Sequence, residues 1–223
     1  MSRVLVIGGA DQGRQVIDAI VARGFHTAVG VLDRALARGD TVAGVPVLGS
    51  DDELSICATE VGADHYVVAI GDNATRGRVL DGALVASPHL QPATIVHPAA
   101  VIGHDATIGA GSILLAGAVV GNDTAIGRGV LLGIHASVDH DGSVGDHASL
   151  GPGATTGGTV RIGRATAVGL GANVIHGISI GHDTVVGAGA LVLDDLPPLV
   201  VAYGVPARVA RAREAGEPYL SRG

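Results

Sequence analysis

From Ile95 the chain divides into consecutive blocks of six: IVHPAA, VIGHDA, TIGAGS, ILLAGA, VVGNDT, AIGRGV, LLGIHA, SVDHDG, SVGDHA, SLGPGA, TTGGTV, RIGRAT, AVGLGA, NVIHGI, SIGHDT, VVGAGA and LVLDDL. These 17 blocks run over 102 residues without insertion or deletion. The second position is aliphatic in 16 of the 17, with Thr156 the exception, and glycine dominates the third. A period of six fits neither a 3.6-residue helix nor a simple alternating strand. It fits a short strand and a turn repeated around a triangular coil. Three blocks close one coil, so the repeat makes between five and six coils. The aliphatic position then points inward and stacks on its equivalents, and the glycine beside it suits a corner with positive φ. Coils about 4.8 Å apart would build a prism roughly 25–30 Å long. The alternative is an ordinary Gly-rich β-sandwich, which the unbroken register disfavours.

Composition agrees with this. Hydrophobic residues make up 47% of the 223 but aromatics only 2%, so the core has to come from Val, Ile, Leu and Ala. The 36 glycines occur in a chain that is neither Pro-rich nor poor in aliphatics, which argues for repeated tight turns rather than disorder. The formal charge of −7 and the lack of a basic run argue against a nucleic-acid partner. Cys57 is the sole cysteine, which excludes an intrachain disulfide and a zinc site built on several Cys. Neither a signal-peptide pattern nor a bilayer-length apolar stretch is present, so a soluble cytoplasmic protein with no membrane partner is expected.

Residues 1–86 read differently. Arg3–Ile7 is a buried strand, followed by Gly8-Gly9-Ala10-Asp11-Gln12-Gly13 and an amphipathic helix over about Gln12–Arg23. A second strand, Val29–Asp33, ends in an acid. Val45–Leu48 is a short edge strand because Pro46 lacks a donor, and Asp51–Val61 suits a helix. His65–Gly71 is a third strand and Asn73–Ala86 another helix. Alternating strands and helices imply a small parallel, Rossmann-like sheet. Residues 87–94, with Pro88 and Pro92, form a join; 95–196 is the repeat; 197–223 is a tail in which Val209–Leu220 reads as a short helix. The glycine turn would let a phosphate approach the backbone at a helix N-terminus, and Asp33 sits where an acid could bond a ribose or base. The spacing is G-x-A-x-x-G rather than the full fingerprint, so simple helix–strand packing explains it equally well.

Both halves together resemble the hexapeptide-repeat sugar acetyltransferases: the sialic acid O-acetyltransferase, bacillosamine N-acetyltransferase and perosamine N-acetyltransferase group. The marks are VIGGADQG at 6–13, VLD at 31–33, AIGDNATR at 69–76, IVHPAAVIG at 95–103, SVDHDGSVGD at 137–146 and GVPAR at 204–208. The resemblance implies a mainly β chain: a left-handed parallel β-helix preceded by a small α/β domain. It implies acetyl-CoA-dependent transfer to a nucleotide-linked amino sugar, with N-acetylation favoured over O-acetylation, for bacterial surface polysaccharide or glycan synthesis. The first domain would hold the nucleotide, making Gly8, Gly9, Ala10, Asp11, Gln12, Gly13, Asp33, Asn73 and Arg76 candidates there. Gln12 departs from the family's frequent His. Acetyl-CoA would lie outside the coils between subunits of a homotrimer, against Ser149, Leu170, Gly187 and Ala188, with Gly204 and Arg208 near the adenine end. No metal is expected.

Acetyl transfer from a thioester needs a group to take the nucleophile's proton and a donor for the oxyanion. A His oriented by a carboxylate meets the first need. Asp139-His140-Asp141 offers one, and in the resembling family the matching His is the base and the acid after it assists. His140 and Asp141 are therefore the catalytic candidates. Of the ten His, seven lie in the repeat, and His97, His104, His176 and His182 read as solvated turn residues. The family often has Asn-Thr before this motif where this chain has Gly133-Ile134-His135. It often has a second His nine residues after the base, where this chain has Ser149, with His147 two positions earlier. Two rival readings stand. One is a γ-class carbonic anhydrase-like zinc enzyme using His135, His140 and His104. The other is a non-catalytic sugar-nucleotide binding protein.

Overall fold

A computed structural model describes residues 1–220. The chain opens with β1 (Ser2–Ile7), α1 (Asp11–Arg23), β2 (His26–Leu32), β3 (Thr41–Val42), β4 (Val45–Gly49), a 3₁₀ turn at Asp51–Glu53, α2 (Leu54–Val61), β5 (His65–Val68), α3 (Asn73–Ala86) and β6 (Gln91–Pro92). Their sheet order is β3-β4-β2-β1-β5-β6, parallel except for the β3–β4 hairpin. The expected edge strand at Val45–Leu48 is thus one place in from the edge: β3 pairs outside it, with Pro46 opposite Thr41. Residues 91–92, expected as join, extend this sheet beside β5.

Seventeen two-residue strands follow, from β7 (Ile95–Val96) to β23 (Leu191–Val192), one per block. The first fourteen each pair in parallel with the strand 18 residues on, so Ile95, Ile113, Leu131, Ser149, Ala167 and Val185 stack in one ladder. This ladder is face one of a three-sided parallel β-helix. The ladder through residue 101 is face two and that through residue 107 is face three. From Leu114 on, the second-position aliphatics are buried inside with sixth-position Ala and Val residues such as Ala118, Val130 and Ala136, while those of the first coil, Val96, Ile102 and Ile108, are more open. The core is lean because each coil encloses only these small and branched side chains.

Glycine's place in the repeat differs from the expected one. Positive φ falls at the fifth position of every block from 101–106 to 185–190, on Gly, Asp, His, Thr and Ala alike. The third-position glycines serve close approach instead. A Cβ on Gly145 would lie 2.5 Å from the backbone nitrogen of Arg164 in the next coil, and one on Gly133 would lie 2.7 Å from that of Pro152. The tail also differs. Residues 209–220, expected to be helical, begin as part of β25 (Ala207–Ala212), which pairs antiparallel with β24 (Val200–Gly204). This hairpin extends face one, because β24 pairs in parallel with the strand at Val185. No helix among the described residues is long and apolar enough to cross a membrane.

Two contacts dock the first domain on the prism. Val16, Ile17 and Ile20 of α1 share a core with Ile95, Ile113 and Leu131, which covers the upper part of face one. Arg76 of α3 is 1% exposed. Its Nε donates to Gly129 O (2.8 Å), Nη1 to Ile70 O and Gly71 O (both 3.0 Å), and Nη2 to Asn73 Oδ1 (2.7 Å), His147 O (2.8 Å) and Ala148 O (3.2 Å). Burial pulls its pKa down to about 10. Asn73, also buried, donates to Ala165 O and Thr166 O.

The two glycine classes should behave differently. Gly145→Ala forces backbones apart and should cost about 3 kcal/mol. Gly153→Ala, at φ 67° with open space around it, should cost about 1 kcal/mol. Denaturant midpoints of the two variants check this, and equal losses would contradict the assignment.

Candidate functional site

Three features compose the site: a cleft in the first domain, a groove on face one, and a histidine at another edge of the prism. The cleft, about 390 Å³, lies at the carboxyl ends of the parallel strands and is lined by Gly8, Ala10, Gln12, Asp33, Arg34, Ile70, Gly71 and Arg78, among others. That is where doubly wound sheets bind ligands. Gly8 adopts φ 103° and packs on Ala69 O, while Gly13 brings α1 against Gly8 O, so packing alone requires both. Gly9 donates to Asp33 Oδ2 (2.6 Å), and Ala35 donates to Asp33 Oδ1 (2.8 Å). Asp33 therefore shapes the turn while still facing the cleft. Asp11 is exposed, pairs with Arg14, and does not line the cleft. Asn73 and Arg76, expected to meet a nucleotide, do not: their polar atoms are committed to the domain junction and Arg76 has no accessible face.

The groove, about 440 Å³, runs down face one below α1. Leu131, Gly133, Ser149–Pro152, Ala167–Leu170 and Val185–Ala188 form its floor and one wall, and Gln12, Gln15, Gly71, Tyr219 and Leu220 close its upper end. Ser149, Leu170, Gly187 and Ala188 thus lie together. Gly204 and Arg208 do not line it. They belong to the β24–β25 hairpin, where Gly204 has φ 105° and Arg208 pairs with Asp194 at 3.3 Å. Gln12 and Gly71 line both cavities, so cleft and groove meet there. The Gln12 Nε2 atom is buried without a hydrogen-bond partner.

His140 stands at the corner that follows face two, where the repeat is locally modified. Asp139 replaces the usual third-position glycine, and its amide donates to Oγ1 of Thr156, the odd residue of the second-position column. Thr124 Oγ1 donates to Asp139 O (2.7 Å) and accepts from Gly142 N (3.2 Å). The turn is thereby pinned from both neighbouring coils. Asp139 Oδ1 accepts from His140 N, and Asp141 Oδ2 lies 2.8 Å from His140 Nδ1. The hydrogen bond to Asp141 and the charge of Asp139 raise the imidazole pKa. The ring is open to solvent, with 57% of the side chain exposed. Below it is Gly158, where a Cβ would lie 2.5 Å from His140 Nε2.

The other histidines differ. His104 and His182 form similar pairs with Asp105 and Asp183, but each follows a third-position glycine rather than a second acid. His147 lies under α3 against Gly77, with Nε2 3.5 Å from Asp81, and burial lowers its pKa. It therefore does not replace the second histidine of the motif; the groove position falls to Ser149. Among the described residues no three His, Cys, Asp or Glu side chains of one chain converge as a metal site.

Residues 3–83 match the family described as the PglD N-terminal domain. Among solved structures, GDP-perosamine N-acetyltransferase from Caulobacter crescentus, in complex with CoA and GDP-perosamine, is 35% identical, covering 95% of this chain and 98% of its own, with a TM-score of 0.86. The acetyltransferase domain of PglB from Neisseria gonorrhoeae is 29% identical, covering 94% and 100%, with a TM-score of 0.88. It has also been solved with acetyl coenzyme A. No curated protein sequence matches. The chain belongs to the hexapeptide-repeat sugar N-acetyltransferase family. Membership does not favour the zinc-enzyme reading, because the similar structures are acyltransferases.

Sequence reasoning missed three groups, two at the cavities and one beside His140. Tyr219 and Leu220 reach the groove from a tail without a motif. Arg34 and Arg78 line the cleft, Arg34 paired with Asp51. Gly158 had a usable signal: it stands 18 residues, one full coil, after His140, beside a second glycine. Gly158→Ala should push the imidazole off its seat, weaken the Asp141 contact and lower the His140 pKa. Histidine NMR titration would measure this, and an unchanged pKa would show that the glycine does not position the ring.

Proposed function

We propose that this enzyme transfers the acetyl group of acetyl-CoA to the amine of a nucleotide-linked amino sugar, as in bacterial surface-glycan synthesis. The observation that carries the reading is the meeting of two cavities. A cleft over the strand ends of the first domain opens at Gln12 and Gly71 into an apolar groove on face one. A nucleotide in the cleft and a pantetheine arm in the groove would bring sugar and thioester together at that junction. Arg78 supplies charge for a diphosphate, while Arg34 is paired with Asp51 at the cleft wall. Gly8, Ala10, Gln12 and Asp33 remain the nucleotide-side residues, Gly9 and Gly13 shape the turn beneath them without lining the cleft, and Ser149, Leu170, Gly187 and Ala188 are those of the groove.

His140 is the general base. Asp141 fixes the Nδ1–H tautomer and leaves Nε2 free to accept a proton. The sugar amine attacks the thioester carbonyl, its proton passes to Nε2, and the tetrahedral intermediate collapses by breaking the C–S bond. The leaving thiolate then takes the proton back from the imidazolium. The groove belongs to face one and the corner after it, whereas His140 stands one corner further round. One protomer does not line its groove with its own His140, so the reading includes a homotrimer in which a neighbour supplies the imidazole. Exposed Val101 and Val119, outward first-position residues of face two, are apolar surface suited to such contact. A cytoplasmic location agrees with the supply of acetyl-CoA.

Thiol release with acetyl-CoA and a panel of nucleotide-linked amino sugars tests the activity. His140→Ala should lower kcat by about 10²–10⁴-fold with the fold intact, and full activity would refute the assignment. The raised His140 pKa has a definite sign. Activity needs the neutral ring, so the rate climbs as pH rises through that pKa. Asp141→Asn removes the largest cause, so the rising limb should move to lower pH while the plateau falls. A limb that stays in place would exclude Asp141 as the partner.

A further inference from the structure

The described tail folds back onto the protein, with Leu220 still exposed at its end. After β25, Arg213 is buried and donates to Asp183 O (2.9 Å), while Arg211 pairs with Glu217 (2.6 Å). Gly216 passes Ala74 of α3, and the chain then enters the upper end of the groove. There the Tyr219 hydroxyl donates to Gly71 O at 3.3 Å and lies 3.3 Å from Ser149 Oγ. Tyr219 thereby joins three parts: the loop after β5, face one of the prism, and its own strap.

We propose that Tyr219 and Ser149 together form a hydrogen-bond-accepting contact for the acceptor sugar, at the point where the nucleotide cleft opens into the acyl groove. This rests on the functional reading above, since it assumes that the sugar occupies the junction. A phenol has one proton, and here it goes to the Gly71 carbonyl. Ser149 must then donate to Tyr219, whose oxygen also accepts from the Asn73 backbone amide, so the lone pairs left without a donor are those of Ser149 Oγ, which Tyr219 holds in place. Burial raises the phenol pKa, so the proton stays in place at neutral pH. The remainder of the groove wall is largely aliphatic, so these two oxygens and the unpartnered Gln12 amide are the side-chain polar groups best placed for the sugar. A hydroxyl or amine N–H of the ring satisfies Ser149 Oγ, and a ring or hydroxyl oxygen satisfies Gln12. The pair occupies the position where the resembling motif carries a second histidine; a hydroxyl from the tail gives Ser149 the reach that its short side chain lacks.

The test compares wild type with Tyr219→Phe, Ser149→Ala and the double variant. It uses acetyl-CoA, GDP-perosamine and a panel of other nucleotide-linked amino sugars, with free GDP and UDP as sugarless ligands. The expected result is a KM for the sugar nucleotide raised about ten-fold in each single variant, the worth of one hydrogen bond. The double variant should lose little more, because the two oxygens act as one contact. In Tyr219→Phe the KM for acetyl-CoA should stay unchanged, and in every variant the affinity for the free nucleotide should stay unchanged. An unchanged sugar-nucleotide KM, or a rise confined to acetyl-CoA, would overturn the proposal while leaving the functional reading intact. A chain ending at Arg213 that gains activity would overturn it too, since the strap would then be a plug. Wild type that turns over no member of the panel would overturn the functional reading and this one with it.

Discussion

Contact between the backbones of successive coils governs this molecule. Each strand is two residues long and meets its partner 18 residues away, so no rung could hold itself together. The rungs persist because third-position glycines let one coil's backbone settle on the next. That packing fixes the axial spacing, and the fixed spacing places every outward side chain. Face one becomes a strip from Ile95 to Val185, apolar except at Ser149, only because its first positions share a ladder. The upper half of this strip receives α1, and the lower half remains as the groove.

Function depends on how firmly the first domain sits on that strip. Two kinds of force act there. The α1 contact is apolar and tolerant of small shifts. The Arg76 contact is directional: a planar cation threads between carbonyls of α3's own loop and those of two prism coils. Arg76 is the more restrictive, because moving the domains apart would strand a charge and several carbonyls together. The result is a junction at Gln12 and Gly71 whose geometry is set before any ligand arrives.

The fold was largely legible in the sequence because the repeat never breaks register. Position two announced the core, and the single outlier, Thr156, proved to hold the turn that carries His140. Glycine was harder to interpret. Its abundance at position three suggested a conformational need, whereas the need there is space, and the left-handed residues are two places further on. Asp and His tolerate that region, which is why Asp141 can sit at φ 55° and still partner its neighbour. Arg76 shows a different gap. A cation after a strand and a turn reads as a phosphate ligand, and only three-dimensional burial reveals it as a clamp. Tyr219 was illegible for a third reason: its partner Ser149 is 70 residues away and no spacing rule connects them.

The Arg76 clamp also restricts how such chains can be recombined. The prism's repeat invites the view of a free-standing module onto which other first domains could be grafted. Yet the coils present Gly129, His147 and Ala148 carbonyls shaped for a guanidinium from elsewhere in the chain. A chimera whose incoming helix lacks an arginine at the matching turn would leave those oxygens facing an apolar seam. Domain exchange in this architecture therefore requires co-inheritance of one side chain with the surface that receives it, although neither takes part in the chemistry.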